Sequence, residues 1–463
     1  MKIKRIICLC LFICIAFSSF FVSANSAMKQ WEGTTSTSSI LLDEDCPIEV
    51  ESEELIFDLV EFPKNYYEDD HDFLSYEGRV SASYTFYNPT DMKVRVRMAF
   101  PFGKLPTYSR TNGVLSFDMD QYDVLVNDEP IDKQLRYTYS PYYSQFELER
   151  DLPRLRDELV KDVFYSPQMM VTKYIFKINN VDSEAYNAAT IAFDIDKGNQ
   201  DTRLYLVNQS GLKIDGDVVR MSSWVDDEDV VLYAFNDPLE VLPKWKVYEN
   251  GEAEDGKEIE GSVDLVDQVS MSFEDFIFQS WKEDMGISKI DWYNARVDQL
   301  NEYLQDNYIN DFHFDTESFL ENLMVWYEYE CEIEPKGTIN NTVVALMYPS
   351  IDLRYEPPVY EYLYLLSPAS TWSEFNDLKV VIRTPHYLID SSLEFEEYEE
   401  GYVYTSDGLP EGELAFTLSE SSKPEKERGN LFHPMVMVYM VPILLIVGLL
   451  IGGIIIWKKA KRR

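Results

Sequence analysis

Cysteine is scarce in this chain, five among 463 residues, and Cys8, Cys10 and Cys14 share one apolar stretch near the start. Scarcity on this scale excludes a small domain stapled by several disulfides. Cys46 and Cys331 remain as the one pair available for a bridge, which would close a long loop. Cys331 also shares the alternation of Val325, Tyr327, Tyr329 and Ile333, the inward face of an expected strand, where a thiol packs equally well. Histidine numbers four, and His71, His313, His386 and His433 stand in no spacing that a zinc site uses. The 19 glycines form no phosphate-binding loop, dinucleotide fingerprint or nucleophile elbow.

Positive charge is the next shortage: Lys and Arg total 41 against 82 Asp and Glu, a net charge of −41. Eight of the bases lie in the first five and last six residues, and no acid falls in 1–27 or 434–463, so the stretch between carries 82 acids against 33 bases. Such a body repels nucleic acid and anionic surfaces and favours cationic partners or metal ions, although charge of this kind also serves simply to keep a surface solvated. Disorder is excluded by an apolar content of 45% and an aromatic content of 14%.

Long apolar runs occur only at the two ends. Met1 to Arg5 is a short basic region, Ile6 to Phe17 is apolar, and Val22-Ser23-Ala24 fits a signal-peptidase site, with Asn25-Ser26-Ala27 as a second choice. Met435 to Trp457 is long enough as a helix to cross a hydrocarbon core, and Lys458 to Arg463 supplies the basic flank that stays cytoplasmic. The expected product is a single-pass, type I protein of the cell membrane with its bulk outside the cell. The expected order is a signal peptide at 1–24, a flexible lead-in at 25–47, a β-rich domain at 48–250, a hinge and helical insertion at 251–322, and a second β-rich domain at 323–418. A polar stalk at 419–434, a transmembrane helix at 435–457 and a basic tail at 458–463 complete it.

Between the ends, short segments rich in β-branched and aromatic residues alternate with turn signals, which predicts a mainly β fold of one or two antiparallel sandwich-like domains. Val80-Ala82-Tyr84-Phe86 and Val94-Val96-Met98-Phe100 predict a hairpin turning through Asn88-Pro89-Thr90-Asp91. Tyr122–Val126 and Ile131–Tyr137 predict a second one through Asn127-Asp128-Glu129-Pro130. Ser272 with Asp275, and Ser288 with Asp291, resemble capping boxes that open two helices. Tyr293, Val297, Leu300 and Leu304 then recur at helical spacing.

Three sets of residues are candidates for a site. Lys93, Arg95 and Arg97 alternate on the outer face of one strand as a basic stripe in an acidic chain, fitted either to an anionic partner or to carboxylates on a neighbouring strand. Asp194, Asp196, Asn199 and Asp201 present oxygens as a Ca2+ loop does, but glycine falls one position early and the bidentate glutamate is missing, so an ordinary turn competes. Cys46 and Cys331 are the third. No catalytic residue or other cofactor is indicated. Carboxylate pairs are too abundant for any one pair to point to glycoside hydrolysis.

The segment Tyr84-Thr85-Phe86-Tyr87-Asn88-Pro89 leading to Ala99-Phe100-Pro101-Phe102, together with Glu361 to Leu366, Ser370-Thr371-Trp372 and Asp377 to Ile382, resembles an uncharacterised family of secreted, membrane-anchored, β-rich bacterial proteins of Firmicutes type. The first segment is more distantly similar to the head sandwich of inter-alpha-trypsin inhibitor heavy chains. The resemblance implies a fold and an address and contributes no ligand or catalytic residue. The sequence therefore predicts a non-enzymatic cell-surface interaction or scaffold protein with protein or cationic partners and no nucleic acid. An extracellular hydrolase and an accessory subunit of a transporter or sensor are the alternatives; Gly448-Leu449-Leu450-Ile451-Gly452 would offer the latter a helix contact.

Overall fold

The computed structural model describes residues 30–426 except 32–34, 38, 43–45, 64–77, 104–121, 141–145, 180, 182–188, 197–201, 217, 226–228, 250–255, 306 and 310–315. Among the described residues the fold is mainly β, 54% strand and 12% helix, in several sheets. Among the described residues no helix is long and apolar enough to cross a membrane. The apolar runs 6–17 and 435–457, the signal segment and the basic tail lie outside those residues.

The largest sheet has eight strands in the order Glu396–Tyr398, Gly401–Asp407, Phe375–Arg383, Glu49–Asp58, Arg79–Tyr87, Thr338–Leu346, Asp123–Val126 and Glu129–Pro130. Alternation decides which face each strand buries: along Arg79–Tyr87 the inward residues Val80, Ala82, Tyr84 and Phe86 are all at most 2% exposed. They share one core with Val96, Met98 and Phe100 of a four-stranded sheet and with Tyr362, Tyr364, Phe416 and Leu418 of a six-stranded one. The four-stranded sheet runs Ile40–Leu41, Val94–Gly103, Leu323–Ile333, Lys133–Tyr139. Strands from both sides of 251–322 thus pair within the same sheets. The pairing is mixed rather than antiparallel throughout, because Glu49–Asp58 lies parallel to Phe375–Arg383 and Thr35–Thr37 parallel to Val359–Leu365.

The first expected hairpin is an arch instead. Arg79–Tyr87 and Val94–Gly103 do not pair; they belong to the two opposed sheets, so their apolar faces meet across the core rather than side by side. Leu323–Ile333 and Thr338–Leu346 are joined by a second such arch at Glu334–Gly337. Asn88, fully buried, stitches the two arches: its Nδ2 donates to the carbonyls of Met92 at 2.8 Å, Ile333 at 3.0 Å and Glu334 at 3.1 Å, while Oδ1 accepts from the Thr90 amide. At the second turn Asp123–Val126 and Glu129–Pro130 do form a hairpin through Asn127 and Asp128, both at positive φ, and the chain then leaves for the four-stranded sheet as Lys133–Tyr139.

Residues 170–309 build a second stack. A six-stranded sheet, in the order Ser262–Ser272, Met170–Asn179, Val230–Phe235, Arg203–Leu206, Tyr308–Ile309, Leu304–Gln305, faces a four-stranded sheet ordered Gln209–Asp215, Val218–Trp224, Thr190–Asp196, Lys244–Tyr248. Tyr174, Phe176, Leu206 and Leu232 meet Ile191, Phe193, Val219 and Met221 between them. On the other face of the six-stranded sheet lie two helices, Phe273–Phe278 and Lys289–Glu302, through Phe273, Phe276, Trp292, Tyr293 and Leu300. Both begin as their sequences predict, with the Asp275 amide on Ser272 Oγ and the Asp291 amide on Ser288 Oγ, each at 3.0 Å. Leu304 has left the helix for a short strand. At the start of the expected stalk the strands continue, since Ser419 ends a core strand and Glu425–Lys426 pairs with Tyr355–Glu356.

Candidate functional site

The basic stripe lies on Val94–Gly103, and the strand beside it, Leu323–Ile333, alternates in the same period. Arg97 stands opposite Glu330 and Arg95 opposite Glu332, but each cation reaches diagonally past its own partner to the next carboxylate. Arg97 Nε donates to Glu328 at 2.6 Å, Arg95 donates to Glu330, and Lys93 Nζ meets Glu332 at 2.6 Å and Glu334 at 3.0 Å. The result is a ladder of alternating charge with little positive field left to attract an anion. Carboxylate hydrogen bonds hold Lys93 and Arg97 above their ordinary pKa values, with Glu332 acting first on Lys93 and Glu328 first on Arg97.

From Arg95 inward, burial increases along the ladder. Arg95 keeps 69% of its side chain exposed, Arg97 27% and Arg136 on the next strand only 6%. Arg136 donates to Glu328 and, at 3.1 Å, to Asp157 through Nη1; Nη2 donates to the Arg156 carbonyl at 2.7 Å. Its Nε donates to both carboxylate oxygens of Asp291, the capped residue in the first turn of Lys289–Glu302. Burial pushes Asp291 above the usual carboxylate range against the opposing pull of Arg136, whereas Asp157, more open, is held below it chiefly by Arg97. This network fastens the helical layer to the four-stranded sheet. Arg136 and Glu328 were not singled out by sequence, and Asp291 was read only as part of a helix cap; the period-two run Glu328, Glu330, Glu332 was the available signal for the network.

Beside the exposed end of the ladder is a shallow cavity of about 330 Å³ lined by Cys46, Pro47, Val94, Arg95, Arg97 and Glu330. Cys46 and Cys331 are both thiols rather than halves of a disulfide. Cys46 is half-buried and Cys331 is buried in the core, inward as its alternation predicts, and burial followed by the proximity of Cys46 pushes the Cys331 thiol up to about 12. The stripe and Cys46 are therefore brought together at one surface.

The Ca2+ candidates are used otherwise or lie outside the described residues, as Asn199 and Asp201 do. Asp194 is engaged by Arg220, Nε to Oδ1 at 2.7 Å and Nη2 to Oδ2 at 2.9 Å, which holds its carboxyl below the ordinary range. Asp196 is exposed at the end of the same strand. Among the described residues no group of three or more His, Cys, Asp or Glu side chains is arranged to hold a metal ion.

One further carboxylate is unusual. Glu53, opposite Tyr84 in the strand register, is 1% exposed inside the main core. Tyr84 Oη donates to its Oε1 at 2.6 Å, and Oε2 has no partner among the described residues. Burial, only partly offset by that hydrogen bond, pushes its pKa up to about 7.

Neither a family model nor a curated protein sequence matches the chain. Among solved structures it is similar to a candidate nutrient binding protein of Legionella pneumophila, at 12% identity over 84% of this chain and 72% of that one, with a TM-score of 0.32. A likeness that loose bears on neither the fold nor the activity of this chain.

Proposed function

We propose that this chain is a non-catalytic interaction or scaffold protein of the cell surface, its acidic β-rich body outside the cell and its apolar run 435–457 in the membrane. The reading is supported chiefly by what the fold does with its charged side chains. Arg136, Asp157, Asp291 and Glu328 close on one another to bind sheet to helix, and none of the four lines the cavity beside the ladder, where an acid, base and stabiliser of a reaction would have to converge. The acidic excess of the chain, 82 acids against 41 bases, selects cationic partners and repels anionic polymers. Assaying the purified chain against glycans and peptides tests the proposal: no turnover above background is expected, and turnover abolished by a single Asp or Glu substitution would overturn it.

A further inference from the structure

The strand Ser262–Ser272 is eleven residues long and forms the outer edge of its sheet, paired only with Met170–Asn179 among the described residues. It also stands clear of both flanking layers. Asp264 through Ser270 are all exposed, so that neither the facing sheet nor the helical layer covers them. The ends are anchored, Val263 against the core between the sheets and Met271 against the helices. Between the anchors the strand exposes apolar surface, with Leu265 at 37%, Val266 at 51% and Val269 at 40%. An edge this long and apolar is a template for another strand.

Its one irregularity bounds the usable length. Ile175 faces Asp267 and Phe176 faces Leu265, so Val266 is the extra residue of a bulge, and Asp267 to Ser272 run in unbroken register beyond it. Alternation places Asp267, Val269 and Met271 on the same face of that run.

We infer that Asp267–Ser272 is a docking edge for an extended segment of a partner protein, added antiparallel, with apolar residues across from Val269 and Met271 and a basic residue across from Asp267, whose Oδ1 accepts from the Gln268 amide at 2.8 Å until the partner engages it. Charge decides the occupant. The exposed edge carries Asp264 and Asp267 and no base, and a second copy would bring the same acids on a body of net charge −41, which self-repulsion disfavours. A cationic segment gains from the same field. The inference rests on the interaction-protein reading, yet fails separately from it, because hydrolytic turnover would sink that reading without touching peptide binding.

The test uses the full-length chain and a fluorescent hexapeptide, Thr-Val-Thr-Val-Thr-Lys, whose lysine falls across from Asp267 and whose valines fall across from Val269 and Met271 in antiparallel register. Fluorescence anisotropy should show saturable binding, weakened about tenfold or more when lysine is replaced by glutamate, and equally when alternate amides of the peptide are N-methylated. Asp267→Lys should reverse the lysine-over-glutamate preference, with an unchanged thermal midpoint as the control for folding. Absence of binding at millimolar peptide, or equal binding of the N-methylated form, overturns the inference. So does a homodimer seen by light scattering that Val269→Lys dissolves, since the edge would then belong to a second copy.

Discussion

Arg136 Nε lies 3.1 and 3.2 Å from the two carboxylate oxygens of Asp291, and this contact joins the sheet of the main core to the helix that covers the second stack. Both side chains are buried. Asp291→Ala leaves Arg136 its pairs with Glu328 and Asp157 but orphans the buried Nε donor, so it should cost about 2 kcal/mol in urea unfolding. Replacing both, as Arg136→Met with Asp291→Leu, should cost less than the single change, which a double-mutant cycle would measure directly.

The ladder beyond Arg136 predicts a gradient. Arg95→Ala, on an exposed pair, should change stability by no more than about 0.5 kcal/mol and become neutral at high salt. Arg97→Ala, which removes a half-buried bridge between Glu328 and Asp157, should cost about 1 to 2 kcal/mol. Equal losses at the two positions would contradict the burial order along the ladder.

Glu53 makes stability depend on pH. Its folded pKa of about 7 lies above the ordinary 4.5, so between those values the folded state binds more protons than the unfolded one, and stability falls as pH rises. Full stability from this group is present below pH 4.5, and about 3 kcal/mol is lost once pH exceeds 7. Glu53→Gln should flatten that slope in denaturation curves across the window and raise stability at pH 8. A variant that kept the wild-type slope would show the proton to be held elsewhere.

The thiols should differ in reactivity. At pH 8 an alkylating reagent should label Cys46 of the native chain and spare Cys331, whose thiol is buried and pushed up to about 12. Denaturation without reductant should expose the second. Mass spectrometry showing neither labelled until a reductant is added would mean that a disulfide links them.

The sequence made the strands and their buried faces legible because period-two alternation is a local property; Val80 to Phe86 and Cys331 turn inward as their spacing requires. The two helix caps were legible for the same reason, since Ser272 and Ser288 act within three residues. Partnership across the core was not. The turn residues at Asn88-Pro89-Thr90-Asp91 say that the chain reverses, but a hairpin and an arch need the same reversal. What distinguishes them here is Asn88 bonding to Ile333 and Glu334, far along the chain. Of the candidate site, Lys93, Arg95 and Arg97 could be seen, but their neutralisation depended on register with Leu323–Ile333. Glu53 shares the alternation of Leu55 and Phe57, which turns it inward, but nothing local shows that its carboxylate is sealed from water against Tyr84 of the neighbouring strand.

The parallel contact between Glu49–Asp58 and Phe375–Arg383 has a consequence in time as well as in space. Ser373 donates to the Ile48 carbonyl across 325 positions, so on a ribosome adding about 5 to 20 residues per second the early strand waits on the order of half a minute for its neighbour to be synthesised. Residues 170–309 complete their own sheets well before that moment. A nascent chain halted ahead of residue 375 would therefore carry a finished inner stack on an open outer core, with Leu55 and Phe57 still in need of cover from a chaperone.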